Sequence, residues 1–93
     1  MMGEPAQPDV VVYRTRHCPY CLLAARCLSS FGIAFREIDV SADPERRRWL
    51  AQATGQRTVP QIFVGERSIG GYAKLRELLR GGPAALRGLS SEE

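Results

Sequence analysis

The stretch Val10-Val11-Val12-Tyr13-Arg14-Thr15-Arg16-His17-Cys18-Pro19-Tyr20-Cys21 passes from an apolar run, through a polar loop, into a pair of cysteines three residues apart. Val10 to Tyr13 is short, β-branched and continuously apolar, as a buried strand reads. From Pro19 to about Ser30 the period becomes helical: Ala24, Cys27, Leu28 and Phe31 fall at i, i+3, i+4 and i+7, one stripe for a core. Gly32 follows where a helix end favours glycine. Cys18 therefore sits on a strand-to-helix loop, with Cys21 one turn inside the helix. At that spacing the two lie on nearly one face, close enough for a disulfide without unfolding the helix. Unpaired N–H groups and the dipole at a helix start stabilise a thiolate, the nucleophilic form of sulfur. Pro19 suits the first helical position, where an N–H has no partner anyway.

Working outward, Ala34 to Val40 alternates, with Phe35, Glu37 and Asp39 on one side and Arg36, Ile38 and Val40 on the other, so a second strand is expected. Asp43-Pro44-Glu45 opens a helix, with Asp43 as cap, and Gly55 stops it after about Thr54. Gln61 to Val64 reads as a third strand, Gly65-Glu66 as a tight hairpin, and Arg67 to Ile69 as a fourth. Gly70-Gly71 breaks the chain. Tyr72 to Arg80 is a third helix with Leu75, Leu78 and Leu79 as its apolar side, and a short helical turn follows through Leu86. The order β-α-β-α-β-β-α fits an α/β fold: a four-stranded mixed sheet flanked by helices. Open α/β sheets carry their chemistry at the carboxyl edge of the strands, where Cys18 is expected.

The 93 residues make one domain, read here as a flexible lead over 1–8, a folded unit over 9–89 and a frayed tail over 90–93. No run is long enough for a membrane span, and the start lacks the basic and apolar regions of a secretory signal. A cytoplasmic monomer is the expectation. Net charge is +3, and twelve of the thirteen basic residues are arginine. They are scattered apart from Arg46-Arg47-Arg48, without interleaved aromatics, so nucleic acid is not an expected partner; small anions and acidic proteins are the sharper alternative to plain solvation.

A Cys-x-x-Cys after a strand and opening a helix reads as a redox motif. A zinc site would want a second such pair or paired histidines. The only extra candidates are His17, adjacent to Cys18, and Cys27, about half a helical rotation away, so no metal is expected. Cys27 reads as a small core hydrophobe. His17 reads as a solvated loop residue that as a cation would favour a thiolate at Cys18.

Cys18-Pro19-Tyr20-Cys21, followed by Gly55-Gln56-Arg57-Thr58-Val59-Pro60-Gln61-Ile62-Phe63-Val64-Gly65 and then Ile69-Gly70-Gly71, resembles the dithiol glutaredoxin family from Val10 to Leu79. The resemblance implies a thioredoxin-like fold and a cis peptide before Pro60. It also implies a glutathione-dependent thiol–disulfide oxidoreductase that reduces protein disulfides and glutathionylated proteins, with no tightly bound cofactor and glutathione as co-substrate. Cys18 then looks like the nucleophile and Cys21 the resolving thiol. Tyr20 would flank the sulfur, with Thr58 and Pro60 beside it. Val59 would offer backbone hydrogen bonds to the cysteinyl part of glutathione, and Gly71 and Tyr72 would open a helix whose N–H groups take the γ-glutamyl carboxylate.

Two positions depart from the family pattern. Thr15 stands where many relatives have a lysine for a glutathione carboxylate, a role that Arg14, Arg16 or the helix arginine Arg47 would then fill. Lys74 stands where many have an aspartate for the glutathione ammonium. The loss of that acid also admits a redoxin reduced by a thioredoxin reductase. A further alternative is a [2Fe-2S] carrier using Cys18 and glutathione, although cluster-binding relatives more often have a small residue in the place of Pro19.

Overall fold

The computed structural model describes residues 9–86. The lead over 1–8 and the tail over 90–93 lie outside the described residues, as do residues 87–89. The elements run β1 (Val10–Arg14), α1 (Pro19–Ser30), β2 (Arg36–Asp39), α2 (Pro44–Thr54), β3 (Gln61–Val64), β4 (Arg67–Gly70) and α3 (Tyr72–Leu79). Residues 84–86 form the expected helical turn, and Leu86 is fully buried.

The four strands form one mixed sheet in the order β2-β1-β3-β4. β1 runs parallel to β2 and antiparallel to β3, and β3 pairs antiparallel with β4. Successive side chains of a strand point to opposite faces, and β1 divides its apolar run accordingly. Val10 and Val12 join Ala24, Leu28, Ile62, Leu75 and Leu79 in a core beneath α1 and α3. Val11 and Tyr13 join Val40, Leu50 and Phe63 in a second core beneath α2. The second core carries an aromatic group in which Trp49 stacks on Phe63 at 5.8 Å and Tyr13 meets Phe63 edge-on at 5.5 Å. Each fully buried aliphatic side chain contributes about 1.5–3 kcal/mol, so two small cores on one sheet hold the fold together. β1 and β3 lie at its centre and position everything else.

α2 begins and ends as its residues dictate. The Asp43 carboxylate accepts from the Arg46 N–H at 3.0 Å, Pro44 occupies the first turn, and Gly55 terminates the helix at φ +75°. α1 ends at Ser30, with Gly32 at φ +70°.

Three expectations need correction. β2 is shorter than Ala34–Val40: Phe35 before it packs against the first core, and Val40 after it is fully buried in the second, its N–H still bonded to the Arg14 carbonyl at 2.8 Å. Phe31 leaves the core stripe. It caps α1 outside helical geometry (φ −95°, ψ 6°), so the helical spacing no longer applies, and it is 40% exposed. Gly70 still pairs with Ile62, at φ +108° beside an irregularity in the ladder, so the break falls one residue later.

Candidate active site

The β1–α1 loop delivers Cys18 to the N-cap of α1. Its extended backbone (φ −132°, ψ 101°) turns the side chain back over the first turn, where its sulfur accepts the Cys21 N–H at 3.2 Å. The Cys18 carbonyl takes the N–H groups of Cys21 and Leu22 at 3.1 and 3.2 Å. A directed amide and the positive end of the helix thus converge on one partly exposed sulfur. Cys21 is fully buried. Burial above all, then a hydrogen bond with Cys18, pushes its thiol from 9.0 up to about 12; a backbone hydrogen bond with Thr15 and the charge of Arg14 oppose this only in part. Both cysteines are free thiols.

The loop before β3 forms the facing wall. The Val59–Pro60 peptide bond is cis, and the Cys18 thiol lies 3.8 Å from the Val59 carbonyl, a long S–H···O contact. Pro60 is buried. Its carbonyl would sit 3.3 Å from a Cβ at position 71, so Gly71 allows the loop and the start of α3 to approach each other. Thr58, Pro60 and Gly71 line a common cavity of about 280 Å³. Gly71 caps α3 without a side-chain bond, and Tyr72 follows it. The Tyr72 ring lies 6.1 Å from that of Tyr20, which is 61% exposed.

The fold therefore brings the Cys18 sulfur against Cys21 and the Val59 carbonyl, sets Gly71 against Pro60 and pairs the rings of Tyr20 and Tyr72, with Thr58 on the cavity that Pro60 and Gly71 line. The Arg16 N–H bonds the Ser41 hydroxyl at 2.8 Å, and its cation acts on Asp39. Arg47 lines a separate cavity of about 580 Å³ on α2 with Arg48 and Arg57. His17 is exposed, and Lys74 reaches Glu77 at 3.9 Å. Among the described residues no group of three His, Cys, Asp or Glu side chains is placed to hold a metal ion.

Sequence reasoning passed over two contributors. Gln61 is buried, and its amide donates to the Gln56 carbonyl at 2.8 Å, bracing the loop that carries Val59. Nothing in its β-strand context marked it. Arg76 lies over the Tyr72 ring at 5.7 Å; its spacing of four from Tyr72 on a helix was the available signal.

The glutaredoxin family profile matches residues 10–69. The chain belongs to the glutaredoxin family. A glutaredoxin of Pseudomonas aeruginosa is 45% identical over 75 residues, 81% of this chain and 89% of that protein. Glutaredoxin 3 of Escherichia coli K12 is 39% identical over 75 residues, 80% of this chain and 90% of that one. Among solved structures, the glutaredoxin of Brucella melitensis superposes with a TM-score of 0.80 at 35% identity, covering 98% of this chain and 99% of that one. A buckwheat glutaredoxin–glutathione complex does so at 0.78 and 28% identity, covering 90% and 77%. The fold is the thioredoxin-like one of these glutaredoxins, and membership of the family makes the chain a thiol–disulfide oxidoreductase. Among the described residues no helix is long and apolar enough to cross a membrane.

Proposed function

We propose that this chain is a cytoplasmic, monomeric, glutathione-dependent dithiol oxidoreductase acting on protein disulfides and glutathionylated proteins, with Cys18 as nucleophile and Cys21 as resolving thiol. The observation that carries the reading is the contrast between the two sulfurs. One is partly exposed at a helix start and accepts an amide N–H at 3.2 Å. The other is buried directly behind it and keeps its proton up to about pH 12.

On a glutathionylated protein, the Cys18 thiolate attacks the glutathione sulfur. The protein–glutathione S–S bond breaks, the protein thiolate leaves and takes a proton, and a Cys18–glutathione disulfide forms. A second glutathione thiolate attacks this disulfide, which returns Cys18 and yields glutathione disulfide. On a protein disulfide, Cys18 forms a mixed disulfide with one substrate sulfur. Cys21 passes its proton to the departing substrate thiolate and attacks Cys18, closing the Cys18–Cys21 bond. Two glutathiones then reopen that bond as one glutathione disulfide.

For glutathione itself, the Val59 backbone serves the cysteinyl unit like a short added strand. The first N–H groups of α3 behind Gly71 and Tyr72 serve the γ-glutamyl carboxylate. Tyr20, Thr58 and Pro60 shape the surroundings of the sulfur. Arg16, or Arg47 with Arg57 beside it, offers a cation to the remaining carboxylate. Lys74, exposed in the first turn of α3, favours a second reading in which a thioredoxin reductase supplies the electrons. Incubation of Cys21→Ser with glutathione disulfide tests the first reading: mass spectrometry should find one glutathione on Cys18. No adduct, or an adduct on Cys27 alone, contradicts it.

A further inference from the structure

Beyond Tyr72, α1 and α3 also frame a groove that the redox cycle does not use. Along α1, Leu23 and Cys27 continue from Tyr20 at i+3 and i+7, and Phe31 at the C-cap completes the row. Along α3, Arg76 and Arg80 continue from Tyr72 at i+4 and i+8. The two rows enclose a cavity of about 470 Å³, with Arg26 on its rim. Leu23 and Phe31 are 38% and 40% exposed, an uncovered apolar floor. The side chains of Arg26 and Arg80 make no hydrogen bond or ion pair among the described residues, and the Arg76 guanidinium lies over the Tyr72 ring and acts on Cys27 without an acidic partner. Three cations, none in an ion pair among the described residues, surround exposed apolar side chains in a groove that reaches Tyr72, whose ring lies 6.1 Å from that of Tyr20 in the cysteine motif, and together they define a ligand by complementarity.

We propose that this α1–α3 groove docks an acidic, apolar-anchored segment of the protein whose disulfide is being reduced. Acidic side chains of that segment meet Arg26, Arg76 and Arg80, and an apolar residue between them covers Leu23 and Phe31. Tyr72 to Arg80 spans about 12 Å at 1.5 Å per residue. An extended segment rising about 3.3 Å per residue covers that distance in about four residues. The acids therefore belong about two to six residues from the substrate cysteine.

The proposal rests on the oxidoreductase reading above, and one assay separates the two. Three peptides carry a cysteine in mixed disulfide with glutathione and differ only at that distance: Glu-Leu-Glu, Gln-Leu-Gln or Lys-Leu-Lys, placed on either side of the cysteine. The mixed disulfide of glutathione with 2-mercaptoethanol, too small to reach the groove, reports the basal reaction. The full chain should show the lowest KM for the Glu peptide, about fivefold below the Gln peptide for two partly solvated ion pairs. The advantage should shrink with added salt. Arg26→Glu with Arg80→Glu should move the preference to the Lys peptide and leave the small disulfide unchanged. Equal KM values for the three peptides overturn the proposal while leaving the oxidoreductase intact. So does a native dimer that the double variant dissolves, which would assign the groove to a second copy. Loss of the small-disulfide reaction in the native chain would overturn both.

Discussion

Cys18 and Cys21 differ only in where one helical turn puts them, and that difference is chemical. The sulfur of Cys18 faces the loop with an amide aimed at it, whereas Cys21 lies under the helix with no solvent contact. Alkylation of the reduced protein near neutral pH should therefore label Cys18 first and leave Cys21 unlabelled; faster labelling of Cys21 or Cys27 would reverse the roles. The pair and its order were legible in the sequence because strand, loop and helix signals bracket it. Lys74 shows a residue that sequence and structure read alike. It sits in the first turn of α3 at an exposed 3.9 Å contact with Glu77, an interaction of little worth. The glutathione ammonium would meet a like charge there. Lys74→Asp should lower the KM for glutathione several-fold, with a benefit that fades in high salt. An unchanged or raised KM, in folded protein, would mean that position 74 does not read the ammonium.

At the scale of elements, α1 carries both the chemistry and much of one core, and Cys21 shares its buried stripe with Ala24 and Leu28. Ala24 and Leu28 are fully buried, but Cys27 is only partly so, between the first core and the α1–α3 groove. Burial raises its thiol, against the opposing charge of Arg76. Cys27→Ala should cost about 1 kcal/mol of stability and leave turnover of a small glutathione mixed disulfide unchanged. Loss of most turnover with the fold intact would give Cys27 a redox role. Element types were legible because caps and periods agree: Asp43 with Pro44 starts α2, and Gly55 stops it. The ends of β2 and the exposure of Phe31 were not. Both depend on where the chain leaves the regular hydrogen-bond pattern, which tertiary packing decides. The arginines were equally illegible as ligands: twelve along the chain give no sign of which face shares a cavity, and only the fold groups Arg47 with Arg57 and Arg26 with Arg80.

For the whole molecule, the buried Cys21 thiol links stability to pH. Its folded value of about 12 exceeds the reference of 9.0, so above pH 9 the unfolded chain releases this proton before the folded chain does. The unfolded state then binds fewer protons, and stability falls as pH rises from about 9 towards 12. Below pH 9 the contribution is fully present. The stability gap between reduced wild type and Cys21→Ala, read by urea unfolding, should therefore narrow between pH 8.5 and 10.5, by at most about 1.4 kcal/mol per pH unit. A constant gap would mean that the thiol is not shielded. The same shielding, set against the amide-held sulfur of Cys18, underlies the whole functional account, and turnover of a glutathione mixed disulfide tests it most directly. Wild type and Cys21→Ser should both reduce the mixed disulfide of glutathione with 2-mercaptoethanol, and Cys18→Ser should not. Substantial turnover by Cys18→Ser, or none by folded wild type with glutathione as reductant, would contradict the account.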